Sequence, residues 1–241
     1  MHPAFSVIFF TVTSGIGYGL LALTGLMAPL GWISSDIILG SILLVFSLAL
    51  ITAGLLSSTF HLRHPERAWR ALSQWRSSWL SREGAAALLT YGPALLFAFG
   101  WIYLSEIKDM WGFWGYVTAV LSMITVFFTS KIYASLKSIP QWHHPLVSPL
   151  YLSFSITSGA VWLLALSAIT GKETPLLVNI SLISLMVSAG LKMSYWRSVD
   201  QQKPQSDMGT ATGLGSIGVV RQSDLPHHKR FRVERVEGNR Y

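Results

Sequence analysis

His61 and Glu83 stand at the two ends of one polar stretch, FHLRHPERAWRALSQWRSSWLSREG, running from Phe60 to Gly84. Between them lie Arg63, Arg67, Arg70, Arg76 and Arg82, interleaved with Trp69, Trp75 and Trp79. An imidazole that titrates near neutrality and a carboxylate at a helix start can trade protons and hydrogen bonds with a lipid-soluble two-electron carrier. A quinol needs an acceptor for each hydroxyl and a path for its protons to water, and such a pair supplies both. Each residue also has an ordinary reading: His61 as a helix-end histidine bonding a carbonyl, Glu83 as a helix-start carboxylate or a partner for Arg82 or Arg67. The pair taken with this linker favours proton handling.

The arginines and tryptophans between them can anchor a loop at the lipid headgroups. Five arginines exceed what orientation needs, however, and a flat basic surface suits an acidic protein partner as well as lipid. His64-Pro65 is a sensible helix start, with Pro at the first helical position and Glu66 in the first turn. Trp69, Leu72 and either Trp75 or Arg76 follow at helical spacing, so a short amphipathic helix along the interface is predicted.

A second stretch, SKIYASLKSIPQWHHPLVSP from Ser130 to Pro149, places Tyr133 in the last turns of an apolar run and puts Trp142, His143 and His144 on a proline-framed segment. With His61, these histidines could gather one haem b or a metal ion. Adjacent histidines on an irregular loop point in different directions, and no carboxylate is near to orient them. The expectation is therefore a wall for a lipid-soluble substrate or a docking loop, with no metal site.

These stretches must be positioned by membrane helices. Of 241 residues, 51% are hydrophobic and only 12% charged, with a mean hydropathy of +0.46, far from the roughly 25% charged of a soluble domain. Six runs reach the about 20 apolar residues a span needs: Phe5–Leu30, Ile37–Phe60, Gly84–Ser105, Trp111–Ser135, Ser148–Thr170 and Pro175–Tyr195. Gly15, Gly17, Gly19 and Gly25 on the first run permit close helix contact. The predicted fold is an all-α bundle over 1–196, with an interfacial linker at 61–83 and a polar, basic tail of little regular structure over 197–241. The first run lacks a basic flank and is too long for a cleavable signal, so it reads as the first span.

Because successive linkers alternate sides, charge sorts by face. One face carries sixteen of the eighteen Lys and Arg against seven of the eleven Asp and Glu, a net +9; the other carries Lys108 and Lys172 against four acids, a net −2. Both termini are therefore predicted to be cytoplasmic. No Asp, Glu, Arg or His lies deep in any run, which argues against a transmembrane haem chain, a proton pump or a small-molecule exporter. With no cysteine, the protein has no thiolate with which to ligate an iron–sulfur cluster. No nucleic-acid partner is expected.

The linker and the later KIYASLKSIPQWHHP resemble the membrane-anchor subunits of the molybdopterin complexes typified by dimethyl sulfoxide reductase. They are most similar to the branch that anchors cytoplasmic sulfite dehydrogenases. The likeness covers about residues 1–220 and implies a complex in a bacterial inner membrane: a molybdenum catalytic subunit, a four-cluster iron–sulfur subunit, and a haem-free anchor exchanging electrons with ubiquinone or menaquinone. By position, His61 matches the histidine implicated in quinol binding and Glu83 the carboxylate that follows it, with Arg63 and Tyr133 beside them. Arg67, Trp69, Arg70, Trp75, Arg76, Trp142 and His143 would lie beneath the iron–sulfur subunit. The resemblance implies no metal in this chain. The alternatives are an anchor for a reductase that oxidises menaquinol, or a structural anchor without a quinone site. Family members usually continue into two more spans after the region resembling TATGLGSIGVVR, eight in all, whereas six are expected here.

Overall fold

A computed structural model describes residues 5–59, 65–201, 219–223 and 230–234, with side chains placed for 5–58, 69–70 and 72–201. Six long apolar helices follow in order: α1 (Phe5–Leu30), α2 (Ile37–Thr59), α3 (Trp79–Tyr103), α4 (Lys108–Ala134), α5 (Val147–Ile169) and α6 (Pro175–Asp200). Each is long enough to cross a bilayer. The helix starts are legible locally. Asp36 Oδ1 accepts the Leu39 amide at 3.0 Å to cap α2, and Pro175 opens α6, where a missing N–H costs nothing. Gly31 and Gly171 follow α1 and α5 with φ of 74° and 66°, the left-handed turn that ends a helix and favours glycine.

One boundary differs from expectation. Helix α3 begins at Trp79, five residues before Gly84, because Ser78 caps it by accepting the Ser81 amide through its side chain. Hydropathy alone reads WLSREG as linker; capping makes it helix. The linker therefore ends at Ser78, and Glu83 lies inside a spanning helix rather than at its mouth. The predicted linker helix is present over Pro65–Gln74 as a 3-10 helix.

Helix α1 is the centre of the bundle, in contact with α2, α4 and α5, while α3 pairs with α4 and α6 rests on α5. Three glycines of α1 each serve one neighbour. A Cβ at Gly17 would lie 2.8 Å from the Ser47 carbonyl oxygen of α2, and one at Gly25 would lie 2.5 Å from the Gly115 carbonyl oxygen of α4. One at Gly19 would overlap the Ser155 carbonyl oxygen of α5 outright. Backbone meets backbone at all three. Gly15 departs from the packing expectation, for a Cβ there would meet nothing within 4 Å.

At the far end Trp101 and Trp111 stack at 5.6 Å, and Trp101 Nε1 donates to the Ser35 carbonyl at 3.2 Å. Two compact units divide the chain at Trp196. The second, Arg197–Tyr241, departs from the expectation of little regular structure: β1 (Val219–Ser223) and β2 (Arg230–Glu234) pair antiparallel with Val220 opposite Val233. Both segments, VVRQS and RFRVE, hold the β-branched and aromatic residues that favour strands.

Gly19→Ala should lower the stability of the detergent-solubilised protein by about 1–3 kcal/mol, since the crossing of α1 on α5 must open. Gly92→Ala, where a Cβ meets nothing within 4 Å, should not. Thermal melting followed by size-exclusion chromatography reads the difference.

Candidate functional site

Glu83 sits just over one turn into α3 and is only 4% exposed. Its Oε1 lies 2.5 Å from Thr129 Oγ1 on α4, and that hydroxyl also lies 3.0 Å from the Thr125 carbonyl oxygen. A hydroxyl has one proton to give. Either Thr129 donates to an ionised Glu83, or a neutral Glu83 donates to Thr129 and Thr129 turns to the Thr125 carbonyl. Both arrangements use the same atoms, so the pair can hold or release a proton without moving the backbone.

Arg82, one of the two arginines read from sequence as ordinary partners for Glu83, is engaged elsewhere. Its Nε donates to the Trp75 carbonyl at 2.9 Å and its Nη2 to the Arg76 carbonyl at 2.6 Å, with the guanidinium 4.3 Å over the Trp79 ring. Arginine thus ties the end of the linker to the start of α3 and leaves the carboxyl to Thr129.

Thr129 lines a cavity of about 490 Å³ bounded by α1, α4 and α5. Helices α1 and α5 run parallel and touch at Gly19 and Gly159, where a Cβ on Gly159 would overlap the Gly19 carbonyl carbon. The cavity lies on the N-terminal side of that crossing. Ser14, Gly15, Tyr18, Thr129, Tyr151 and Ser155 are among the residues that form it. Most of these hydroxyls are already engaged: Ser14 donates to the Phe10 carbonyl at 2.6 Å and Ser155 to the Gly15 carbonyl at 2.7 Å. The Tyr18 hydroxyl, on a side chain 2% exposed, has no hydrogen-bond partner among the described residues.

A second cavity of about 330 Å³ shares Thr11, Val12 and Tyr151 with the first and extends to Tyr133 and Trp142. Tyr133 stacks on Tyr151 at 5.6 Å and meets Trp142 edge-on at 5.3 Å. The Glu83 carboxyl is within electrostatic reach of Tyr18, Tyr133 and Tyr151. Of the residues singled out in the sequence, Tyr133 and Trp142 line the second cavity, and Glu83 is tied to the wall of the first through Thr129. Tyr18, Tyr151 and Thr129 belong with them and were missed, because phenols and hydroxyls inside an apolar run carry no hydropathy signal. The one available sign was Tyr18 itself, a bulky phenol between two glycines.

His61 and Arg63 lie outside the described residues, and Arg67 is described only by its backbone in the linker helix. The basic surface is otherwise in view. Trp69 and Trp75 are 67% and 55% exposed, with Arg70 and Arg76 over their rings at 5.6 and 5.4 Å. Leu72, on the opposite side, packs against Gly84 of α3. On the second stretch, His143 Nδ1 lies 2.7 Å from the Ala134 carbonyl oxygen, and the His144 ring meets Tyr195 edge-on at 5.4 Å. The two histidines point apart, and among the described residues no three His, Cys, Asp or Glu side chains are grouped to hold a metal.

The family model for the DMSO reductase anchor subunit (DmsC) matches residues 1–211. The C subunit of sulfite dehydrogenase from Allochromatium vinosum is 34% identical over a 243-residue alignment, covering 92% of this chain and 73% of that protein. The anaerobic dimethyl sulfoxide reductase of Escherichia coli contributes a second relative, its C polypeptide, 29% identical over 147 residues that cover 58% of this chain and 50% of that protein. No solved structure matches at a significant level.

Replacing Thr129 by Val keeps the shape and leaves Glu83 buried without its hydroxyl. The expected cost is about 1–3 kcal/mol of stability, and adding Glu83→Met should recover most of it. A double-mutant thermal-melting cycle measures this coupling.

Proposed function

Because the chain belongs to the DMSO reductase anchor subunit family, we propose that it is the quinone-reactive anchor of a molybdopterin oxidoreductase docked on the cytoplasmic face of a bacterial inner membrane. The substrate of the complex is sulfite on this reading, supported by 34% identity to a sulfite dehydrogenase subunit over nearly the whole chain. Sulfite and water become sulfate and two protons on the molybdenum subunit, and two electrons leave through a four-cluster iron–sulfur subunit. They reach a quinone in this chain, which takes up two protons and becomes the quinol. No step on sulfite falls to the anchor.

The observation that carries the quinone reading is the buried Glu83 carboxyl, bonded to Thr129 on the wall of an intramembrane cavity. A carboxyl is costly inside a membrane bundle and marks a functional site by default. His61 and Arg63, which follow α2 in the sequence, belong to the same site on this reading, and Tyr133 lines the second cavity. The positive excess on the linker face assigns that face and both termini to the cytoplasm. Docking then falls to Arg67, Trp69, Arg70, Trp75 and Arg76, with Trp142 and His143 beside them. A second reading, an anchor that oxidises menaquinol for a reductase, is favoured by the likeness to a dimethyl sulfoxide reductase polypeptide. Mass spectrometry of the partners retained on the tagged protein in mild detergent separates the two.

His61→Ala and Glu83→Gln should leave both soluble subunits co-purifying and sulfite oxidation by an artificial dye intact, while quinone reduction falls by at least about 10-fold. Loss of the partners instead would assign these residues a structural role. Arg70→Glu with Arg76→Glu should do the reverse, releasing the iron–sulfur subunit in a pull-down while the anchor still inserts and folds.

A further inference from the structure

Building on the quinone-anchor reading, we propose that Arg82 is the positioning residue of the site: its guanidinium staples the turn after the linker helix to the first turn of α3 and so fixes the direction in which the Glu83 carboxyl meets Thr129.

Local capping holds this helix start only loosely. A helix opens with four amides that have no intrahelical acceptor, and at α3 the capping side chain reaches them at length, Ser78 Oγ accepting the Ser81 amide at 3.4 Å. Glu83 follows just over one turn later, so fraying of that first turn would swing its carboxyl. Arg82 supplies the missing hold. The Gln74 carbonyl already takes the amides of Ser77 and Ser78. The next two carbonyls, of Trp75 and Arg76, are the ones that Arg82 binds, through Nε at 2.9 Å and Nη2 at 2.6 Å.

Two acceptors in succession match the planar fork of a guanidinium, whereas lysine offers a compact ammonium on a flexible stem. The Trp79 ring, 4.3 Å from the guanidinium carbon, keeps that plane in place. Trp79 in turn meets Phe128 of α4 at 5.8 Å. The staple therefore starts one residue before the carboxyl and ends one residue before the threonine that binds it. Successive residues on a helix point about 100° apart, so Arg82 can grip the linker while Glu83 turns to Thr129 at 2.5 Å. On the far side of Glu83, Gly84 lies against Leu72 of the same linker. The bonds of Arg82 go to carbonyls and not to the carboxyl, so it acts on Glu83 through position rather than charge.

The test uses the complex purified in mild detergent with its soluble subunits, decylubiquinone as the acceptor, and a dye-linked assay alongside. Arg82→Lys keeps the charge and gives up the fork. It should lower kcat for decylubiquinone reduction roughly 3- to 10-fold, with KM changed less than about twofold and with partners and dye-linked activity at the wild-type level. In a Glu83→Gln background the same change should cause no further loss, because a residue that works through the carboxyl has nothing left to work on. Wild-type turnover in Arg82→Lys, or an equal loss in both backgrounds, overturns the assignment. Should Arg82→Lys shed its partners, infrared difference spectra of the anchor chain between acid and alkaline pH decide instead. The carboxyl band that Glu83→Gln removes should shift or split in Arg82→Lys, and an unmoved band overturns the assignment. A wild-type complex that does not reduce decylubiquinone overturns the quinone reading, and the infrared band then still decides whether Arg82 positions Glu83.

Discussion

Contact between backbones along α1 is the constraint on which the bundle depends. Inside a bilayer, apolar side chains gain little by leaving lipid for one another, so helices associate through close van der Waals packing and interhelical hydrogen bonds. Helix α1 touches three neighbours through Gly17, Gly19 and Gly25, each facing a different helix. The spacing matters. Residues two apart in a helix point to nearly opposite sides, so Gly17 and Gly19 can serve α2 and α5 at almost the same depth, and Gly25 serves α4 farther along. One helix thereby acts as the hub, and the tryptophan stack of Trp101 and Trp111 secures the opposite end of α3 and α4.

Polar groups inside this frame follow a second rule, that every buried donor needs an acceptor because lipid offers none. Serines and threonines of the spans mostly satisfy themselves by donating to carbonyls one turn back, as Thr118 does to Trp114 and Thr125 to Leu121. On α4 the hydroxyl residues Thr118, Ser122, Thr125 and Thr129 are all buried on one face. They keep that face narrow, and the last of the row gives Glu83 its hydrogen bond. Against that background the carboxyl tied to one hydroxyl stands out, while the Tyr18 phenol is one of several buried hydroxyls, with those of Thr24, Ser122 and Ser167, that have no partner among the described residues. Thr129 brings the carboxyl to the wall of the space that Tyr18 lines.

Much of this was legible in the sequence, and the misses have physical causes. Spans of about 20 or more apolar residues and the charged linkers between them are long-range compositional features, and all six helices occupy the runs that hydropathy marks. The start of α3 was misplaced because a single capping serine outweighs a polar turn. That displacement changes the meaning of Glu83, from a carboxylate at a helix mouth to one buried in the span. The α1 glycines read as a uniform packing stripe, since a sequence cannot tell which glycine faces a backbone and which faces a void. Thr129 was invisible for a related reason: its importance lies in the partner it shares, a property of the assembled helices. The strand pair in the tail was passed over because a short polar segment shows alternation too weakly to outweigh its composition.

The linker helix and the buried carboxyl are joined by one contact, which bears on how docking and quinone chemistry relate. Trp69, Arg70, Trp75 and Arg76 face outward, whereas Leu72 turns inward onto Gly84, the residue after Glu83. Arg82, the residue before Glu83, binds the Trp75 and Arg76 carbonyls. Both sequence neighbours of the carboxyl are therefore held by the segment that carries the basic surface. On the proposed reading, a subunit seated on those arginines and tryptophans presses on the platform that sets the first turns of α3. Docking would then fix the position of Glu83 against Thr129 as well as bring the electron donor near. Gly84 lets the linker helix lie close on α3, for a Cβ there would come within 3.1 Å of the Leu72 side chain, and it is through this contact that the linker bears on the turn that carries Glu83.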